Sequence, residues 1–179
     1  MDLKELVLSR RTVRKFTDEE MAPETLVDLI MYASMGPSKS NSHPVEFILV
    51  KDREVLDAFS KLTRFSTSYL AQVPQALVVI GDKYVGDHWI EEASITASYL
   101  GLLLEAEGWT SAWVNVRDLD EKDGEKPEDK VKDLLNIPDH YGVLSIMPFG
   151  KQDERVRKRK PFDASEKLHL ANYSKKSDK

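Results

Sequence analysis

Two clusters of cationic side chains carry the densest chemistry in the chain. "SRRTVRKF", residues 9–16, places Arg10, Arg11, Arg14 and Lys15 close together. "RVRKRKPF", residues 155–162, adds Arg155, Arg157, Lys158, Arg159 and Lys160 near the other end. Guanidinium forks bind the oxygens of phosphates and carboxylates in pairs, so both clusters suit an anionic ligand. A solvated basic turn and a solvated basic tail would account for the same charges without one. The layout of the first cluster favours a packed segment, because Leu6, Val7, Val13 and Phe16 interleave with its arginines. Together the clusters could clamp one phosphate from both ends of the chain, although periodicity alone does not bring them together.

Other chemistries find little support. The chain has no cysteine, which excludes thiolate catalysis, disulfides and cysteine metal sites. "DLDEKDGEKPED", 118–129, fails as a calcium loop, because Lys122 and Asp123 stand where a ligand and a glycine are required. It reads as a solvated acidic loop. His88 with Glu91 and Glu92 could share a helix face, but the simpler reading is a helix N-terminus capped by Asp87, with acids in its first turn. There is no G-x-G-x-x-G, and "GDKYVG", 81–86, has the wrong spacing. No G-x-S-x-G elbow exists either.

These residues need a scaffold. The chain of 179 residues, 41% hydrophobic, is long enough for one core. A formal net charge of -5 disfavours general binding to nucleic acid or membrane surfaces. No apolar run is long enough to cross a membrane, and the opening residues do not read as a signal peptide. A cytoplasmic location is expected. Helices are expected over residues 2–9, with Leu3, Leu6 and Val7 on one face, and from Pro23 to Gly36-Pro37. Further helices are expected over 53–64, capped by Asp52, over 88–107, and from Pro127 to Leu135. Strands are expected at 45–50, 76–80, 110–116 and 142–150. Ala93, Ser94, Ala97, Ser98 and Gly101 would let another backbone approach the long helix closely. The order of elements suggests an α+β or mixed three-layer fold.

The pattern resembles the flavin-dependent nitroreductase family. "SRRTVRKF" is similar to its opening R-R-S-x-R-x-F/Y stretch. "GPSKSNSHPVEF", 36–47, is similar to its A-P-S-x-x-N-x-Q-P-W-x-F loop. "QVPQALVVI", "EEASITASYLGLLLEAEGWTSAWVN" and "RVRKRKPFD" resemble a strand, the central helix and the basic C-terminal stretch of that family, in matching order over about residues 3–163.

The resemblance implies an α+β fold: three layers, a central mixed, largely antiparallel sheet flanked by helices, and a C-terminal arm swapped in a homodimer. Residues 1–165 would form one FMN-binding domain, and 166–179 a partly disordered tail. FMN would sit at the subunit interface, with Arg10 on its phosphate and Arg11 and Thr12 along the ribityl and pyrimidine side. Arg14 would lie at the pyrimidine edge. Pro37, Ser38, Ser40 and Asn41 of the other subunit would cover the ring system. Val114, Asn115 and Val116 would face its reactive edge, and Arg157 and Arg159 would close on the phosphate. No protein nucleophile is needed, because the flavin carries the hydride.

The implied activity is reduction of nitroaromatic, quinone or similar flat acceptors, with NADH or NADPH as transient co-substrate. Two alternatives are a specialised flavin protein of the same fold (flavin destruction, dehalogenation or azoline oxidation) and a non-catalytic FMN-binding dimer. His43-Pro44-Val45 stands where the family often has Q-P-W, and Asn115-Val116 where many members end in glycine. Both departures would reshape the wall beside the flavin.

Overall fold

A computed structural model describes residues 2–63, 66–117, 124–157 and 159–173. Its centre is an antiparallel sheet of β1 (Val45–Val50), β2 (Gln75–Asp82), β3 (Thr110–Ser111), β4 (Val114–Asn115) and β5 (Tyr141–Gly150). The order is β1-β2-β5-β3, and β4 also pairs with β5. β1 meets β2 from Val45 opposite Gly81 to Val50 opposite Ala76. β2 meets β5 from Gln75 opposite Phe149 to Asp82 opposite Tyr141, with a bulge at Val79/Ile80. β2 and β5 are buried almost throughout. Strands covered on both faces lose the polar alternation of half-exposed ones, which is why they read as continuous apolar runs.

Helices cover both faces and give three layers. On one face α3 (Arg53–Ser60) and α5 (Pro127–Leu135) bring Leu56, Phe59 and Val131 onto Val78, Ile80 and Ile146. On the other, α2 (Pro23–Ala33) and α4 (Trp89–Ala106) bring Leu26, Leu29, Ala97 and Leu100 onto Leu77, Val79 and Met147. Ala93, Ala97 and Gly101 of α4 are buried, so its backbone lies close to the sheet as their size suggests. The start of α4 is fixed by a slot. Gly81 and Gly142 face each other across β2 and β5, and the Trp89 ring lies over both. A Cβ on Gly142 would sit 2.3 Å from that ring.

Several local expectations change. α3 stops at Ser60, where the Thr67 hydroxyl donates to the Ser60 carbonyl at 3.0 Å and the chain turns. The strand expected over 110–116 is two short ones separated by Ala112 and Trp113. The Ala112 N–H donates to the Pro148 carbonyl at 3.0 Å, but proline has no N–H to return, so the ladder cannot run on. α1 (Leu3–Ser9) buries Leu6, while Leu3 and Val7 stay exposed. Asp87 does not cap α4. His88 flanks that helix, and the Asp87 carboxylate lies 3.8 Å from the Lys39 ammonium. The acidic segment 118–123 lies outside the described residues, and of "DLDEKDGEKPED" the part from Pro127 opens α5 instead of continuing the loop.

The N-terminal segment is stitched to β3 and to the residues just past β5. Val13 N–H donates to the Ser111 carbonyl at 3.3 Å, Thr17 N–H to Lys151 at 2.9 Å, and Asp153 N–H to Lys15 at 2.9 Å. The Glu154 carboxylate accepts from the Arg14 N–H at 2.6 Å and the Lys15 N–H at 3.2 Å. Those bonds carry the first arginine cluster to the second.

Candidate functional site

Segment 10–16 is extended, so alternate residues face opposite ways. Arg10 and Thr12 open onto a hollow of about 380 Å³ shared with Ala97, Gly101, Ser111 and Trp113. Arg11 turns to a second hollow of about 620 Å³, lined also by Ser9, Val156, Arg157 and Arg159. Arg11 Nε donates to the Arg157 carbonyl at 2.5 Å, and its Nη1 to the Arg10 carbonyl at 3.1 Å. Desolvation, then the charges of Arg159 and Arg10, hold Arg11 below its ordinary value, with Glu105 opposing. It remains a cation at any ordinary pH. Among the described residues, none of Arg10, Arg11, Arg157 and Arg159 forms a salt bridge. Three guanidinium-bearing residues thus line one hollow without a salt bridge, and Arg10, on the other hollow, is near enough for its charge to act on Arg11, an arrangement that suits an incoming dianion.

Arg14 points elsewhere. Its guanidinium lies 5.7 Å from the centre of the Tyr69 ring, within cation–π range. Burial pushes the Tyr69 hydroxyl up, and Arg14 offsets part of that shift. Glu105, on the last turn of α4, faces the same arginines. Burial raises its carboxyl, while Arg10, the Ser9 hydroxyl and Arg11 pull it back.

The loop after α2 lies apart from this cluster. Ser40, Asn41 and His43 all have positive φ, at 54°, 59° and 45°. Such backbone costs about 1–3 kcal/mol per residue and persists only where surrounding contacts enforce it. Here the His43 N–H meets Ser38 Oγ at 3.4 Å, His43 Nε2 lies 2.9 Å from Asn41 Oδ1, and the Lys39 N–H donates to Glu92 Oε1 at 2.8 Å. Pro37, Ser40 and Asn41 are left exposed. Glu92 and Glu105 stand near opposite ends of α4, about 20 Å apart at the rise of a helix. Within one subunit, therefore, Pro37, Ser38, Ser40 and Asn41 sit at one end of α4 and the arginines at the other.

β4 presents Asn115 to solvent between the buried Val114 and Val116. Trp113 Nε1–H donates to Asn115 Oδ1 at 2.6 Å. With its oxygen engaged, Asn115 leaves its Nδ2 hydrogens free to donate outward. Trp113 also walls the hollow beside Arg10.

Sequence reading missed Tyr69, Glu105 and Trp113, and it set Glu92 aside. The one available signal was an acid on the apolar face of a helix, as in "EEASITA", and it was read as one of the acids in the first turn of a capped helix. Among the described residues no group of histidines and acids could hold a metal, and no helix is long and apolar enough to cross a membrane.

Comparison with known proteins supplies the context. The profile of the Nitroreductase family matches residues 7–84. The structure of an FMN-dependent nitroreductase from Clostridium difficile R20291 superposes with a TM-score of 0.87 at 32% identity, covering 96% of this chain and 100% of that one. A protein of Methanothermobacter thermautotrophicus named "Putative NADH dehydrogenase/NAD(P)H nitroreductase" is 29% identical over 177 residues, 97% of this chain and 88% of its own. The iodotyrosine deiodinase of Thermotoga neapolitana is 24% identical over 176 residues, 85% of this chain and 89% of its own. The α+β sheet with helices on both faces is the nitroreductase fold. The chain belongs to the nitroreductase family, and its class is oxidoreductase.

Proposed function

We propose that this protein is an FMN-dependent oxidoreductase that draws reducing equivalents from NADH or NADPH and passes them to nitroaromatic, quinone or similarly flat acceptors at one flavin site. The observation that carries the reading is the hollow that Arg11, Arg157 and Arg159 line from segments far apart in sequence, with Arg10 on the other hollow and, among the described residues, none of the four in a salt bridge. These residues fit a phosphate monoester, which carries close to two negative charges and accepts paired guanidinium bonds. Arg10 and Thr12 would line the way from that phosphate along the ribityl chain, while Arg14, held against Tyr69, stands away from both hollows. Val114, Asn115 and Val116 would face the reactive edge, where the free Asn115 amide hydrogens can donate.

When bound, FMN supplies the hydride chemistry. The chain's own work is to bind, orient and supply fixed donors. Shared use of one slot by donor and acceptor accounts for the lack of a dinucleotide fingerprint.

The functional unit is proposed to be a homodimer of single-domain subunits spanning residues 1–165. A loop at the opposite end of α4 from the arginines of its own subunit is placed to cover a flavin held by a second copy. The tail from 166 would be an arm reaching onto the partner. Phe162, Leu168, Leu170 and Tyr173 are 67–83% exposed in the single chain, surface an arm would bury against another subunit. The similarity to an iodotyrosine deiodinase favours a second reading, reductive dehalogenation on the same flavin site.

A visible spectrum of the purified protein, taken after FMN is added and excess removed, tests the proposal. Retained flavin that bleaches under anaerobic NADH or NADPH supports a reductase. Retained flavin that neither nucleotide bleaches points to a non-catalytic FMN dimer, and absence of bound flavin overturns the reading. A screen of halogenated phenols against nitroaromatics separates the two enzyme readings.

A further inference from the structure

Glu92 is a carboxylate placed where the core offers it no cation. It is 4% exposed, on the side of α4 that also buries Ala93 and Thr96. Its oxygens are spent on the loop after α2. Oε1 accepts the Lys39 N–H at 2.8 Å and Oε2 accepts the Ser42 hydroxyl at 3.4 Å. Its place in the first turn of α4 sets the carboxylate in the positive field of the helix N-terminus, which eases its burial. Lys39 Nζ adds a second, exposed tie to Asp87 at 3.8 Å.

Between the two residues Glu92 grips lie Ser40 and Asn41, both left-handed, and His43, also at positive φ, comes directly after Ser42. Three non-glycine residues in that region do not hold the shape by preference. An unpartnered backbone N–H at Lys39 would release it. Pro44 then enters β1, and its carbonyl accepts the Asp82 N–H at 2.9 Å, which pins the far end of the loop to β2. The near end is α2. Bonds within the loop, from the Asn41, Ser42 and His43 N–H groups back to Ser38 and Lys39, tie the middle only to itself, and Glu92 is the buried group that ties it to α4.

We infer that Glu92 is the positioning residue of the flavin-covering loop: it holds residues 38–43, with Ser40, Asn41 and His43 at positive φ, in the form that receives the cofactor and touches no ligand itself. The inference rests on the proposed flavin site and deepens it. Its effect should lie in FMN affinity, with turnover restored once flavin is saturating.

The test compares Glu92→Leu, Glu92→Gln and Ser42→Ala with the wild type, full chain in each case. Amide exchange of residues 39–43 is measured without flavin, and FMN affinity by titration. The expected result is faster exchange of the Lys39 amide and at least tenfold weaker FMN binding in Glu92→Leu, with β2 protection unchanged. Turnover at saturating FMN should stay within about twofold of wild type. Glu92→Gln, which can still accept from Lys39 and donate to Ser42, should recover most of both losses, and Ser42→Ala should show a smaller version of them.

Unchanged loop exchange in Glu92→Leu overturns the inference. So does a loosened loop with wild-type FMN affinity. Should Glu92→Leu fail to fold, Ser42→Ala decides: wild-type exchange and affinity there reject it. A wild type that binds no FMN rejects the flavin role while the exchange data still report on the loop, so the two failures are distinguishable.

Discussion

Arg11 donates its Nε hydrogen to the backbone carbonyl of Arg157 at 2.5 Å, although 146 residues separate them. That bond fixes the relation between the two basic clusters. The C-terminal segment is anchored through its backbone, so the Arg157 and Arg159 side chains stay available to a ligand. Replacing Arg10 or Arg159 by alanine should therefore weaken FMN binding by ten- to a hundredfold, the worth of a charge-assisted bond of about 1.5–3 kcal/mol. Calorimetric titration measures it, with the loss shrinking at high salt. Wild-type affinity in both variants would refute the phosphate clamp.

Glu105 faces the same arginines with the opposite sign. Burial holds its carboxyl above the ordinary 4.5, against the pull of Arg10, Ser9 and Arg11. A raised carboxyl binds its proton more tightly in the fold than in the unfolded chain. Its stabilising contribution is thus complete below 4.5 and lost as pH rises through the raised value. Glu105→Gln should raise the melting temperature at neutral pH, and the advantage should shrink as pH falls towards 4.5. The same change removes a negative charge beside the clamp and should tighten FMN binding by a few-fold.

The Trp89 slot predicts a packing defect with a defined cure. Gly142→Ala would place a methyl 2.3 Å from the indole ring, and Gly81 across the strands leaves it no escape. The cost should be about 1–3 kcal/mol or more, read from urea denaturation. Adding Trp89→Leu should return part of it. Two independent losses that simply add would show that the ring and the glycine are not coupled.

Asn115 offers its amide hydrogens because Trp113 engages its oxygen. Asn115→Asp keeps the Trp113 bond and replaces the outward donor with a negative charge. Bound FMN should then have a lower reduction potential, and anaerobic reduction by NADH should slow by roughly fivefold, the effect of a surface-screened charge contact on the order of 1 kcal/mol. Stopped-flow bleaching measures the rate.

The exposed Phe162, Leu168, Leu170 and Tyr173 predict the role of the arm. A chain ending after Ala164 keeps the Lys151 and Asp153 ladder bonds but loses most of that surface. Sedimentation should show loss of the dimer together with loss of bound flavin. A yellow dimer of the shortened chain would refute the arm.

Much of the fold was legible because its signals are local. β1, β2 and β5 announce themselves as apolar runs, and Pro23 and Pro127 open helices by fixing φ where no N–H is needed. The arginine motif was equally legible, since its composition stands out against an acidic chain. By itself the sequence determined the layers and the α4 packing face, and it pointed to an anionic ligand. Tertiary structure alone decided three things. Pro148 splits the strand after α4, because a missing donor matters only once a partner strand lies opposite. Glu92 leaves solvent and Glu105 partly does, because the side of a helix that becomes buried depends on what packs there. Arg11 is parted from Arg10 and joined to Arg157, because an extended chain turns neighbours to opposite sides, and only the closed fold sets what each side meets.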